Sequence, residues 1–139
     1  MRFPWYARRS APRHARMIRM YSPQLLHHFE HPRNSGEVPT PDATVEMSNP
    51  ACGDILKLTL LIQEGHVAEI RFLAKGCVPA IACASALTEL THGKTLDEAK
   101  KIQCDDIVRA VGGLPEASGH AAHLAIDTLT AALKQISDG

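Results

Sequence analysis

Leu56-Lys57-Leu58-Thr59-Leu60-Leu61-Ile62, then Gln63-Glu64-Gly65-His66, then Val67-Ala68-Glu69-Ile70-Arg71-Phe72-Leu73-Ala74 is the stretch that decides the fold. Leu56, Leu58, Leu60 and Ile62 alternate with polar Lys57 and Thr59, and Ala68, Ile70, Phe72 and Ala74 repeat the period of two. Side chains two apart share one face of a strand, so each run presents an apolar side. Gln63 to His66, with Gly65, reads as a tight turn, and the runs pair as antiparallel neighbours. Upstream, Val45 and Met47 alternate with polar residues and add a short strand to the meander. Downstream the period becomes helical: Ala80, Cys83, Ala84, Leu87 and Leu90 form a stripe that opens near Pro79 and stops at Gly93. Leu96 to Ile102, capped by Thr95, and Asp105 to Val111 are shorter helical pieces. Gly112-Gly113-Leu114-Pro115 breaks the chain, and a last helix from about Gly119 to Ile136 turns Ala122, Ala125, Ile126, Leu129, Leu133 and Ile136 inward. Ahead of the meander, Ser22 caps and Pro23 opens a helix carrying Leu25, Leu26 and Phe29, which Pro32 closes. Its His27, His28 and His31 read as a polar face rather than a metal cluster. Strands first and helices after, without βαβ alternation, predict an α+β fold. The expectation is a three-stranded antiparallel sheet packed against several helices, with a long C-terminal helix.

The 139 residues suffice for one domain with a modest core. No apolar run approaches the length of a bilayer span, so no membrane partner is expected. The formal charge of zero hides an asymmetry: Arg2, Arg8, Arg9, Arg13, Arg16 and Arg19 all precede Tyr21, with no acidic residue among them. Nine basic and fifteen acidic side chains remain, a formal net of −6 for the rest of the chain. A domain that acidic repels a phosphate backbone, which argues against nucleic acid as a partner. Residues 1–19 are expected to be a disordered basic extension and 20–139 the folded domain. Pro4 and Pro12 spoil an amphipathic presequence helix, so an upstream start ahead of Met17 or Met20 is the preferred reading of that extension. The compartment expected is cytoplasmic, or the mitochondrial matrix if residues 1–19 are a presequence.

Cys52, Cys77, Cys83 and Cys104 lack a secretory context, so metal or redox chemistry is a better question than disulfides. Cys52 is followed by Gly53-Asp54 just before a strand, Cys77 follows Gly76 and precedes a helix, and His120 opens the final helix. All lie at element ends, where loops converge. A helix N-terminus beside Cys77 favours thiolate, and the same field at His120 favours the neutral imidazole that binds metal. Two thiolates and an imidazole suit zinc or iron–sulfur centres, while Asp54 offers a harder oxygen. Spacing alone leaves buried structural cysteines as the competing reading, because no CxxC pair is present. Cys83 lies on the apolar stripe of its helix and reads as core; Cys104 reads as a half-exposed bystander.

Tyr21-Ser22, His31-Pro32-Arg33-Asn34-Ser35-Gly36, Asn49-Pro50-Ala51-Cys52-Gly53-Asp54, Lys75-Gly76-Cys77 with Ala80-Ile81-Ala82, Gly93-Lys94-Thr95-Leu96-Asp97-Glu98-Ala99 and Asp106-Ile107 together resemble the IscU/NifU-type iron–sulfur cluster scaffolds, in order and over roughly residues 20–137. The resemblance implies a non-enzymatic scaffold that binds a transient 2Fe-2S cluster and passes it to apo iron–sulfur client proteins. It implies Cys52, Asp54, Cys77 and His120 as cluster and metal ligands, with the aspartate as the labilising one. It also implies a cysteine desulfurase as sulfur donor and chaperones that help release. Two departures stand out. Ala121 occupies the place of the family's third cysteine, and Leu114-Pro115-Glu116-Ala117-Ser118 departs from the Leu-Pro-Pro-Val-Lys segment that chaperones recognise. His123, on a neighbouring position of the same helix face as His120, is an auxiliary ligand candidate, and Ser118 reads as a helix cap. Zn²⁺ or Fe²⁺ in place of a cluster remains the alternative, giving a zinc-binding paralogue that regulates a desulfurase. A Cys77–His120 nucleophile pair is a third reading, but no oxyanion-hole motif accompanies it.

Overall fold

Glu64 and Gly65 both adopt left-handed backbone (φ 54° and 77°), the two-residue turn whose twist matches a pair of antiparallel strands. In the computed structural model, which describes residues 20–138, that turn joins β2 (Asp54–Gln63) to β3 (His66–Lys75). The expected extension at residues 1–19 lies outside the described residues. β1 (Ala43–Asn49) pairs antiparallel with β2, giving a sheet ordered β1-β2-β3. Leu56, Leu58 and Leu60 are buried as their alternation predicts.

The alternation in β3 is corrected at one point. Ala68 was expected on the inner face, yet Val67 is fully buried and Ala68 is partly exposed. Pairing passes from Leu61 with Glu69 to Ile62 with Val67, a bulge that leaves Ala68 as the extra residue. One inserted residue inverts every side chain beyond it.

The helices are α1 (Pro23–Glu30), α2 (Val78–Thr91), α3 (Leu96–Lys100), α4 (Cys104–Ala110) and α5 (Gly119–Asp138), with a 3₁₀ turn at Glu116–Ser118 before the last. α5 lies across β1 and β2, α2 lies on β3, and the two pack on each other. α1 covers α2 from the far side, and α4 wedges against α2 and α5. α2 is therefore buried over most of its circumference, not along one stripe: Ser85, Thr88 and Thr91 are buried with Ala84 and Leu87, and Glu89 is its one exposed residue. Its threonine hydroxyls are satisfied within the helix, Thr91 Oγ1 donating to Leu87 O and Thr88 Oγ1 to Ser85 O, both at 2.7 Å. Among the described residues no helix is long and apolar enough to cross a membrane.

His28 departs from the polar-face reading. It is buried, with Nδ1 2.8 Å from Ser85 Oγ and Nε2 3.6 Å from Glu89 Oε1. Burial holds its pKa below the ordinary histidine value, against the opposing pull of Glu89, so it ties α1 to α2 as a neutral ring.

The outer strands are partly capped. Gln135 of α5 accepts the Thr44 N–H of β1 at 2.9 Å and donates to the Thr44 carbonyl at 3.2 Å. On β3, Phe72 exchanges backbone hydrogen bonds with Asn34 (3.0 Å) and Gly36 (2.9 Å), and Val67 does so with Lys94 and Gly93 (2.8 Å each).

Because every α2 residue from Ala82 to Thr88 is buried, Leu87 (0% exposed) has no room to relax around a deletion. Leu87→Ala is expected to lower unfolding free energy by about 3 kcal/mol, measured as a shift in urea midpoint at unchanged slope. A loss under about 1 kcal/mol would contradict this enclosure.

Candidate metal centre

The loop from β1 to β2 is an Asx-type turn. Asn49 Oδ1 accepts the Ala51 N–H at 3.1 Å, and the Asn49 carbonyl accepts those of Cys52 (3.1 Å) and Gly53 (2.7 Å). Gly53 provides the left-handed step (φ 75°) that returns the chain to the sheet. Cys52 is left exposed at the tip of the turn, and the next strand opens with Asp54, 1% exposed. β3 runs back alongside and pairs Lys75 with Ile55, so Gly76 and Cys77 arrive next to Asp54. Cys77 is the N-cap residue of α2, and His120 lies in the first turn of α5. Three chain segments thus meet at one end of the sheet.

Asp54 is the hub. Its Oδ1 accepts the Cys77 backbone N–H at 3.1 Å, while its Oδ2 lies 3.5 Å from Cys77 Sγ and 3.4 Å from His120 Nε2. Gly76 is required for this approach. A β-carbon at that position, where φ is 149°, would stand 2.1 Å from Asp54 Oδ1. The bare Cα of Gly76 admits the Asp54 carboxylate to the Cys77 backbone.

The electrostatics of Cys77 reverse the sequence expectation. Burial is the main cause that pushes its thiol above the usual range. A hydrogen bond from the Ala80 N–H in the first turn of α2 works in the thiolate's favour, but the Asp54 charge and the thiol–carboxylate contact add to burial. The helix N-terminus loses to desolvation plus a neighbouring carboxylate.

The arrangement fits a metal or cluster on its own evidence. His120 Nε2 is a buried nitrogen without a hydrogen-bond partner among the described residues, facing Asp54. Native proteins rarely leave such an atom unsatisfied, and a ligand nitrogen awaiting a cation accounts for it. Donor atoms of Cys52, Asp54 and His120 lie within 4.8 Å of one another. Cys77 stands outside that trio but touches it through Asp54. These donors mix soft sulfur, borderline nitrogen and hard oxygen.

Other residues singled out from the sequence fall elsewhere. Ala121 is 1% exposed and packed in the core, so the methyl group there turns inward. His123 Nδ1 lies 3.4 Å from Cys104 Sγ, a partnership between α5 and α4 that the sequence reading missed. Nineteen residues separate the two, and no motif links them. Cys83 is fully buried, as its stripe predicts, and burial pushes its thiol up to about 12. Ser118, read as a helix cap, ends the 3₁₀ turn directly before α5, its N–H donating to Pro115 O at 2.8 Å.

Residues 20–138 match the family model of the NifU-like N-terminal domain. The chain is 39% identical over 114 residues to the iron-sulfur cluster assembly scaffold protein IscU 1 of Archaeoglobus fulgidus, covering 82% of this chain and 74% of that one. It is 38% identical over 120 residues to the iron-sulfur cluster assembly enzyme IscU of Drosophila melanogaster, covering 84% and 77%. In three dimensions it resembles the N-terminal NifU-like protein of Brucella abortus, with a TM-score of 0.71 over 88% of this chain and 98% of that one, at 20% identity.

Proposed function

Since the chain belongs to the NifU-like N-terminal domain family, we propose that it is a scaffold on which an iron–sulfur cluster is built as cargo and then released. The observation that carries this reading is the unpartnered Nε2 of His120 facing Asp54. Cys52 and Cys77 supply thiolates to the cluster, His120 an imidazole, and Asp54 an oxygen. The 2Fe-2S form suits four such donors, since each iron then takes two protein ligands. Asp54 has two tasks: it holds the Cys77 backbone, and it offers the hardest and weakest of the four bonds to iron. A cargo site is served by one weak ligand, which lets the cluster leave. We assign no catalytic residue. A cysteine desulfurase is the proposed sulfur source and apo iron–sulfur proteins the proposed recipients, in the cytoplasm. Ala121 leaves sulfur delivery to Cys52 and Cys77.

A second reading rests on the compactness of Cys52, Asp54 and His120. Their donor atoms all lie within 4.8 Å of one another, the scale of a single ion. Zn²⁺ suits that trio with Cys77 as its fourth ligand, which makes the chain a zinc-binding regulator.

Anaerobic reconstitution with ferrous iron and sulfide decides between them, read by visible absorbance and Mössbauer spectroscopy. Wild type is expected to give a 2Fe-2S spectrum, and Cys77→Ala to lose at least about nine-tenths of it, because one of the only two thiolates, the soft ligands that hold the cluster most firmly, is gone. A colourless wild-type protein that retains one equivalent of zinc would overturn the scaffold reading in favour of the regulator.

A further inference from the structure

We propose that the surface around α3 is a docking site for an acidic segment of a partner protein, one that carries two apolar anchor side chains. The surface lies at the opposite end of the sheet from the metal centre.

Between α3 and the C-terminal half of α5 lies a hollow of about 300 Å³. Buried Ala99, Leu129 and Leu133 and half-buried Ile102 line it, and exposed Lys100 and Lys134 stand beside them. A second hollow, of about 520 Å³, shares Ile102 with the first and adds Leu90 and Ala110 as apolar lining. Two adjoining apolar hollows suit two anchor side chains on one segment, the arrangement that carries most of the energy in a recognition surface.

Charge decides what that segment must be. From Tyr21 onward the chain has nine basic and fifteen acidic residues. Five of the nine, Lys94, Lys100, Lys101, Arg109 and Lys134, line the two hollows. Among the described side chains only two acids join them, Glu98 and Asp106, and both are engaged locally. Glu98 accepts the Thr95 N–H at 2.9 Å; Asp106 accepts the Gln103 N–H at 2.8 Å and pairs with Arg109. The four lysines make no ion pair among the described residues, whereas Arg33, Lys57 and Arg71 elsewhere are matched by Glu89, Glu37 and Glu69. The charge balance of the domain is thus inverted here, and unpaired ammonium groups around apolar hollows complement carboxylates flanking apolar side chains. A nucleic acid fits less well, since the rest of the domain repels its backbone. A membrane fits no better, because the large apolar side chains that protrude, Met20 and Leu73, are not among the lining residues.

The position has a consequence. α3 abuts the turn of the β2–β3 hairpin, Leu96 N–H donating to Gly65 O at 3.1 Å, while Asp54 and Lys75 stand at the hairpin's other end. Strands of ten residues put about 30 Å between the two ends. A partner held at α3 leaves the metal centre open to a second one, whatever ion or cluster that centre takes.

The probe is a random peptide library displayed on phage and selected on the reduced, metal-free, full-length chain. The enriched peptides are expected to place Asp or Glu around two apolar residues. A synthetic consensus peptide, titrated into isotope-labelled protein, is expected to shift the amide resonances of Lys100, Ile102 and Lys134 and to leave His120 unmoved. Lys100→Glu with Lys134→Glu is expected to weaken binding at least about tenfold, and added salt to weaken it in wild type. Both lysines are exposed, so circular dichroism is expected to show an unchanged fold in the variant. A consensus without acids, resonance shifts centred elsewhere, or unchanged affinity in the variant would overturn the proposal. So would the enrichment of no peptide, or tighter binding through the same lysines to a short DNA duplex or to phosphatidylglycerol vesicles. None of these readouts involves cluster uptake, so failure of the scaffold reading leaves the result interpretable.

Discussion

Gly76→Ala is expected to cost about 4 kcal/mol of stability and to abolish cluster uptake in the same step. The added β-carbon would sit 2.1 Å from Asp54 Oδ1 and 2.7 Å from the carboxyl carbon. Asp54 is fixed at the head of β2 and is 1% exposed, so it has no free space to swing into. The backbone angle compounds the clash, because a φ of 149° lies where alanine is strained. Overpacking and left-handed strain each contribute about 1–3 kcal/mol in comparable positions. Relief requires parting Cys77 from Asp54, which scatters the ligands. Urea denaturation measures the first effect, and reconstitution with iron and sulfide the second. A Gly76→Ala protein within about 1 kcal/mol of wild type and with full uptake would show that the Asp54–Cys77 contact is not what organises this end of the sheet.

Asp54→Ala is expected to act in the opposite direction on cargo retention. With the hard ligand gone, the cluster keeps thiolates and imidazole, and its half-life against chelator is expected to rise at least about tenfold. The same substitution changes Cys77. Burial is the main cause of its raised thiol pKa and persists in the variant, but the carboxylate's charge and hydrogen bond add to it. A raised thiol pKa means less thiolate at a given pH, so deleting Asp54 lowers the pKa and increases thiolate near neutrality. Alkylation of Cys77 by iodoacetamide is expected to speed up, with its pH midpoint moving down. Stability falls by about 1–2 kcal/mol, since the Cys77 N–H loses its acceptor. An unchanged alkylation profile together with an unchanged cluster half-life would remove Asp54 from both roles.

Much of this was readable from residue order. The leucines at 56, 58 and 60 fix the inner face of β2, and the Glu64-Gly65 turn fixes its pairing with β3. Element ends follow from caps such as Ser22, which accepts the Leu25 N–H at 2.9 Å, and Thr95 with Glu98. The residues marked for metal, Cys52, Asp54, Cys77 and His120, converge because antiparallel pairing returns β3 to where β2 began. What resisted reading depended on tertiary surroundings. A bulge exchanges Ala68 for Val67, and neither residue type announces it. The enclosure of α2 depends on helices arriving from both ends of the chain, which turned His28 from a surface residue into a buried tie. The sign of the Cys77 shift depended on a competition between helix field, burial and Asp54 that sequence cannot weigh. Cys104 and His123 meet only because α4 folds onto α5.

The occupied margins of the sheet have a bearing on how this molecule meets others. Gln135 sits on Thr44 at one margin, while Asn34, Gly36, Gly93 and Lys94 sit on Phe72 and Val67 at the other. At those points no bare peptide groups are left to template a visiting strand, the usual first step toward β-aggregates. Recognition is thereby shifted from shared backbone, which any chain offers, to surface side chains, which differ from one visitor to the next. A domain built this way can be crowded by other chains and still engage them selectively.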